Sequence, residues 1–365
     1  MQKFIPISIP SITDLELEYV TDAVKSSWIS SLGKYIDEFE SSFASFCDAK
    51  YAVAVSNGTV AIHLALVCLG IKEGDEVIVP DLSFVATANA VLHAGATPVF
   101  ADIDPFNLCI DPIDVRKKIT HKTKAIMPVH LYGHPADMMA LNAIAQEFNL
   151  LIIEDAAEAH GATINGKKVG SWGKCATFSF YGNKNITTGE GGMITTDDED
   201  LYKKLKYLRD HGMSKEKRYW HTELGYNYRM TNVQAAIGCA QLKRIDEIMI
   251  KKQEIFSWYS EGLSGIENIS INRTYPWATN AYWLIAMEID GFDEKQRDEF
   301  MEKLKESGVD SRPFFYPMSE MPYLKTEAET PITNSIAKKG INLPTYFDLK
   351  KEEVIYICNC IKELI

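Results

Sequence analysis

The chain has 365 residues, 46% of them hydrophobic and 24% charged, an ordinary globular composition long enough for one large α/β domain with a smaller appendage. Its net charge of −12 leaves no excess of Lys and Arg to neutralise a nucleic-acid backbone, although a local pocket of donors suffices for a phosphate-bearing small molecule. No apolar run approaches the roughly 18 residues of a membrane span, and Met1-Gln2-Lys3-Phe4-Ile5-Pro6 lacks a signal-peptide core, so a cytoplasmic protein with neither membrane nor nucleic-acid partner is expected.

Residues 13–27 read as an amphipathic helix. From Tyr51 the pattern alternates: strand 51–55, helix 59–69, strand 76–80, helix near 84–93, strand 97–101, a short helix near 112–119 and strand 124–129. Helix 137–148, strand 150–154 and strands near 176–180 and 192–196 continue it, followed by helix 200–209 and a long helical stretch at about 231–263. Short apolar strands alternating with helices predict a mostly parallel central sheet with helices on both faces. Residues 270–365 differ in texture, with a strand at 281–288 and helices at about 294–307 and 350–364. The expected division is a large α/β domain over 1–250, including an N-terminal arm, and a small α+β domain over 251–365. The seven cysteines are odd in number and scattered through apolar segments, which reads as reduced thiols. Cys358 and Cys360 have no second Cys/His pair nearby, and no metal site is expected.

Ligands of open parallel sheets bind at the carboxyl ends of the strands. Three stretches with chemical potential fall there. Ser56-Asn57-Gly58-Thr59 joins a strand to a helix, where free N–H groups, the Thr59 hydroxyl and the helix dipole suit a phosphate; the same residues also serve as a plain helix cap. Asp155 follows Leu-Leu-Ile-Ile-Glu and is expected to be partly buried, a costly place for a carboxylate without a cation. Lys184 sits on a polar loop after Phe178-Ser179-Phe180, with Gly189 and Gly191-Gly192 close behind. A lysine and an aspartate at strand exits are what a pyridoxal phosphate enzyme requires: the amine forms a Schiff base and the carboxylate keeps the pyridine nitrogen protonated. Lys184 is then also the proton carrier, and the cofactor alternates with pyridoxamine phosphate. Ser179 reads as a second hydroxyl for the phosphate or as a plain strand-end serine, Glu158 as a partner of the ring hydroxyl or a solvated helix-start glutamate, and Phe84 as a stacking ring or a core phenylalanine. His160, two residues past Glu158, reads either as support for it or as a structural core histidine.

Val55-Ser-Asn-Gly-Thr59, Glu154-Asp-Ala-Ala-Glu158, Phe178-Ser-Phe180, Lys184, Thr188-Gly-Glu-Gly-Gly192 and Gly225-Tyr-Asn-Tyr-Arg-Met230 together resemble the DegT-type (DegT/DnrJ) sugar aminotransferases. The resemblance implies the aspartate aminotransferase fold, fold type I of the pyridoxal phosphate enzymes. It also implies that Lys184 bears the cofactor, that Asp155 binds the pyridine nitrogen, and that Gly58, Thr59 and Ser179 hold the phosphate. Asn227 would reach the phosphate of the partner subunit, which implies a homodimer with shared sites, alone or within a tetramer. Many members carry glutamine where this chain has Glu158.

Ser27-Trp28-Ile29-Ser30, Arg218-Tyr219, Arg312-Pro-Phe-Phe-Tyr-Pro317 and Gly340-Ile-Asn-Leu-Pro344 are most similar to the GDP-perosamine branch of that family. The branch implies amino transfer from L-glutamate to C4 of GDP-4-keto-6-deoxymannose, a step toward O-antigen and other surface polysaccharides. Arginines beside aromatic rings suit a nucleotide sugar, and equally suit a packed aromatic core with surface charges. Trp28, Ser30, Arg229, Arg312 and Tyr316 are the substrate-binding candidates. A UDP- or dTDP-linked keto sugar is the alternative substrate, and a non-catalytic regulator on the same fold is the alternative class.

Overall fold

The computed structural model describes residues 4–214 and 216–365. Helices α1 (Asp14–Lys25) and α2 (Lys34–Phe46) precede β1 (Tyr51–Val55), α3 (Gly58–Cys68), β2 (Glu76–Pro80), α4 (Ala86–His93) and β3 (Thr97–Ala101). Then come α5 (Pro112–Lys118), β4 (Thr123–Ile126), α6 (Met138–Phe148) and β5 (Leu151–Asp155). The hairpin β6 (Thr163–Ile164) and β7 (Lys167–Lys168) leads to β8 (Cys175–Ser179), β9 (Gly192–Thr196) and α7 (Glu199–Arg209). After α8 (Asn232–Lys243) and α9 (Ile245–Gly262) the chain forms β10 (Ile269–Ile271), β11 (Ala278–Thr279), β12 (Ile285–Ile289) and α10 (Glu294–Glu306). It ends with β13 (Arg312–Pro313), α11 (Pro331–Lys339), β14 (Gly340–Leu343) and α12 (Lys351–Leu364).

Seven strands form the main sheet in the order β1-β9-β8-β5-β4-β2-β3. Only β9 runs against the rest, because it pairs antiparallel with both β1 and β8. The exits of β1, β2, β5 and β8 therefore lie along one edge, which places Gly58, Asp81, Asp155 and Ser179 on the same side. The parallel strands are buried on both faces, as their unbroken apolar runs require. A second sheet, β10-β12-β14-β13, is antiparallel throughout. Its own core joins Ile285, Met287 and Ile289 to Phe300, Leu304, Ile357 and Ile361. Ile5 belongs to that core as well, through a parallel bridge to Val309. Trp283, Phe314 and Ile336 pack into the core of the main sheet beside Ile78 and Ile152 and so tie the two sheets together.

Two details depart from the sequence expectation. Helix α2, unforeseen, buries Tyr35, Ile36, Phe39 and Phe43 along one face. The stretch 231–263 is two helices that meet at Arg244, at φ −101° and ψ 3°. The Arg244 guanidinium is anchored to Glu16 at 3.0 Å and to the Ser11 hydroxyl at 2.9 Å, so contacts with the N-terminal segment set the break.

Candidate active site

At the exit of β1, Asn57 caps α3 by accepting from the Val60 N–H at 3.0 Å. The N–H groups of Gly58 and Thr59, in the first turn of α3, then have no intrahelical acceptor. Two glycines make this arrangement possible. A Cβ on Gly58 would stand 2.8 Å from Cβ of Ser179, and one on Gly192 would stand 2.4 Å from the Asn57 carbonyl oxygen. The helix N-terminus therefore lies directly against the end of β8. The Ser179 Oγ accepts from the Tyr181 N–H at 3.3 Å and keeps its own hydrogen to donate. Gly58, Thr59 and Ser179 thus form one compact cradle of donors suited to an anion.

Asp155 ends β5 and is 4% exposed. Its Oδ2 accepts from Thr87 Oγ1 at 2.8 Å and its Oδ1 from the Ala157 N–H at 3.2 Å. Burial pushes its carboxyl above the ordinary range, opposed by these two bonds and by the charge of Lys184. Glu158 stands nearby, with the Tyr132 N–H donating to Oε2 at 2.9 Å. Burial pushes this carboxyl up to about 7, with Lys184 holding it down. Lys184 Nζ lies 3.6 Å from Glu158 Oε1 and 3.7 Å from the centre of the Trp283 ring. Burial lowers its pKa against the pull of Glu158 and Asp155. The site therefore holds an amine and two carboxyls that burial drives toward their neutral forms, the condition for proton transfer near neutral pH.

The neighbouring side chains fall into two groups. Glu154 accepts from His130 Nε2 at 3.2 Å and from the N–H groups of Gly170, Trp172 and Gly173 at 2.9, 2.7 and 2.8 Å. Burial alone would raise its pKa, but these donors hold it below the ordinary carboxylate value. On the open side, Phe84 is 56% exposed and its ring lies 5.9 Å from Phe315, which stacks on Tyr132 at 5.6 Å. His160 makes no bond to Glu158. It packs against Phe178 and Phe180 at 5.6 and 5.5 Å, and burial pushes it down to about 3, opposed by the backbone of Ser179.

The structure thus brings Asp155, Glu158 and Lys184 together and packs Gly58 against Ser179. Sequence reasoning missed Thr87 and Trp283. Thr87 carries no signal within an alanine-rich helix, and Trp283 lies far along the chain from Lys184. The substrate candidates make contacts outside this cluster. The backbone carbonyls of Trp28 and Ser30 accept from Asn232, so these residues seat the start of α8. Arg229 donates to Asn227 Oδ1 at 3.1 and 2.9 Å and pairs with Asp210 at 2.8 Å, alongside the end of β1. Arg312 pairs with Asp310 at 2.5 Å, and the Tyr316 ring lies beneath the Arg297 guanidinium at 5.6 Å.

These residues fit a phosphorylated pyridine aldehyde: a donor cradle without net charge, a buried carboxylate short of a cation, and a buried amine. The model of the DegT/DnrJ/EryC1/StrS aminotransferase family matches residues 10–362. The chain is 45% identical over 362 residues to the GDP-perosamine synthase of Escherichia coli O157:H7, covering 99% of this chain and 98% of the relative. It is 46% identical over 355 residues to the GDP-perosamine synthase of Caulobacter vibrioides, covering 96% and 95%. Among solved structures, the PMP form of a putative sugar aminotransferase from Streptococcus pneumoniae superposes with a TM-score of 0.94 at 29% identity, covering 99% and 97%.

Proposed function

The chain belongs to the DegT/DnrJ/EryC1/StrS aminotransferase family, and on that footing we propose that it transfers an amino group from L-glutamate to C4 of GDP-4-keto-6-deoxymannose, giving GDP-perosamine and 2-oxoglutarate. The observation that carries the amine chemistry is the meeting of Lys184, Glu158 and Asp155 at one edge of the sheet. The choice of a GDP-linked sugar rests on the likeness to the two GDP-perosamine synthases.

Pyridoxal phosphate, when bound, supplies the electron-withdrawing pyridine ring that carries the amino group between the two half-reactions. The chain's own residues do the rest. Gly58, Thr59 and Ser179 hold the phosphate through N–H and hydroxyl donors. Asp155 is the partner for the ring N–H, the cation that its burial calls for. Glu158 sits beside Lys184 to balance its proton, and Phe84, on the open side, would cover the ring. Desolvation gives Lys184 Nζ a neutral form able to take a proton from the substrate carbon and return it.

The Asn227 Oδ1 accepts from Arg229, and among the described residues no hydrogen bond joins its side chain to Gly58, Thr59 or Ser179 of its own chain. This supports a homodimer with shared sites, in which Asn227 faces the partner's phosphate, alone or within a tetramer. The exposed side chains of Trp28, Tyr219, Trp220 and Leu224 form apolar surface of the kind that oligomers cover. Trp28, Ser30, Arg229, Arg312 and Tyr316 are proposed to line the nucleotide-sugar approach. Seven free, buried cysteines support a reducing, cytoplasmic setting. No helix among the described residues is long and apolar enough to cross a membrane.

The deciding experiment is an absorbance titration. Glutamate should bleach the visible band of the purified protein. After removal of the excess, GDP-4-keto-6-deoxymannose should restore it. Bleaching without recovery would replace this sugar with a UDP- or dTDP-linked one. A protein with neither bound cofactor nor bleaching would be a regulator on an enzyme fold.

A further inference from the structure

Lys252, on α9, is an anomalous cation. It is 4% exposed, and among the described residues no carboxylate pairs with it. Burial alone pushes its ammonium down to about 7. Nζ instead donates to the carbonyl oxygens of Trp283 at 3.0 Å and Thr345 at 2.8 Å. A buried cation without an acid is costly, and a methionine would fill a similar volume without that cost. The two carbonyls show what the position holds together. Trp283 leads into β12 and Thr345 follows β14, and the Thr345 hydroxyl also accepts from the Ile285 N–H at 3.0 Å. The ammonium therefore fixes the start of one strand to the end of another.

Trp283 carries that fixed point into the site. Its indole Nε1 donates at 2.8 Å to the carbonyl oxygen of Asn183, the residue before Lys184. Its ring face lies 3.7 Å from Lys184 Nζ, and Glu158 Oε1 stands 3.6 Å from the same nitrogen. The indole face and the Glu158 carboxyl flank the same nitrogen, so the two groups form a seat for the free amine, firmest while the amine carries its proton.

We propose that Lys252 is a positioning residue of the reaction: by fixing Trp283, it seats the uncombined amine of Lys184 between the indole face and Glu158. The inference rests on the reading of Lys184 as the cofactor-bearing lysine. Such a lysine must leave and return in every cycle. A four-carbon stem free to rotate would scatter its amine over many positions, whereas a seat holds it within reach of the reacting carbon.

The test uses the full chain after glutamate treatment, when Lys184 is uncombined. The protein is labelled with trinitrobenzenesulfonate at fixed pH, and the rate at Lys184 is read by peptide mass spectrometry. Lys252→Met should raise that rate roughly tenfold as the seat loosens and, in the protein before glutamate treatment, should shift the pH titration of the visible band. Lys252→Arg, which keeps the donors, should return the wild-type rate. If Lys252→Met fails to fold, Trp283→Phe decides, since it loses the bond to Asn183 and weakens the ring's hold on the amine. Faster labelling of Lys184 in that variant supports the seat. Unchanged labelling and an unchanged band profile, with only a lower Tm, would overturn it. If the wild-type protein shows no visible band at all, the aminotransfer reading falls, and labelling of the untreated chain still decides the Lys252–Trp283–Lys184 link.

Discussion

Glu154 and Asp155 are adjacent on one strand, both are buried, and their surroundings are opposite. Successive strand residues face opposite sides of a sheet, so the two carboxylates enter different environments. Glu154 meets His130 and three backbone N–H groups, all from its own chain. Asp155 meets one hydroxyl and one N–H. The first carboxyl is held below its ordinary pKa despite burial, and the second is raised by burial. A carboxylate that the chain saturates is part of the fold; one left short of partners is set for a ligand. Glu154 ties the loop at Gly170–Gly173 to the sheet, while Asp155 is the proposed partner of a ring N–H.

This contrast is best broken by exchanging each carboxylate for its amide. Asp155→Asn should leave the fold intact and lower the amino-transfer rate by about a thousandfold, because the ring nitrogen loses its anionic partner. Stopped-flow decay of the visible band with glutamate measures it. A near-wild-type rate would remove Asp155 from the chemistry. Glu154→Gln should do the reverse. It replaces an acceptor of several bonds with a group that turns N–H hydrogens toward donors, at about 2–4 kcal/mol of stability. Denaturant unfolding checks the loss, and the surviving folded protein should keep the wild-type rate. If Glu154→Gln were as stable as wild type, the saturated carboxylate would not be a fold element.

How much of this was legible beforehand differs between the two. The exits at Asp155 and Lys184 stood out in the sequence because each follows an apolar strand and carries a group that burial penalises. The alternation that produces the mostly parallel sheet was legible for the same reason, since a strand buried on both faces must be continuously apolar. The partners that distinguish Glu154 from Asp155 were not. Three of the four donors to Glu154 are backbone N–H groups of a loop, which any sequence would supply. Thr87 looks like an ordinary helical residue until the fold sets α4 against β5. The break at Arg244 carries neither glycine nor proline, because its cause is a long-range anchor to Glu16 and Ser11. Side chains set by local pattern could be read, and those set by tertiary packing could not.

Glu158 lies between these extremes and sharpens the comparison through pH. It has one backbone donor, Tyr132, and one cation, Lys184. Burial raises its pKa from 4.5 to about 7. Below pH 4.5 the group is protonated in both the folded and unfolded chain and costs nothing. Between 4.5 and 7 the unfolded chain releases the proton while the folded one keeps it, so stability falls as pH rises through that window. The loss should be about 3 kcal/mol across it, measured by denaturant unfolding of the cofactor-free protein. Glu158→Gln should flatten that slope. A slope unchanged by the substitution would assign the pH dependence to other groups.

The smallest effect expected is at Thr87, and it asks how short of donors Asp155 can be. The hydroxyl gives Asp155 its only side-chain bond among the described residues, and Ser83 Oγ lies 3.2 Å behind it. Thr87→Val keeps the shape, removes the donor and leaves a buried carboxylate still harder to ionise. A weaker charge on Asp155 binds the ring N–H less well, and the loss of one charge-assisted bond is worth about 1 kcal/mol, or roughly fivefold in cofactor affinity. Thr87→Ser retains the hydroxyl and should bind as wild type does. Equilibrium dialysis with the two variants separates the donor from the methyl group. Equal affinities for the valine and serine variants would mean that Asp155 draws its whole hold on the cofactor from its own charge and the Ala157 N–H.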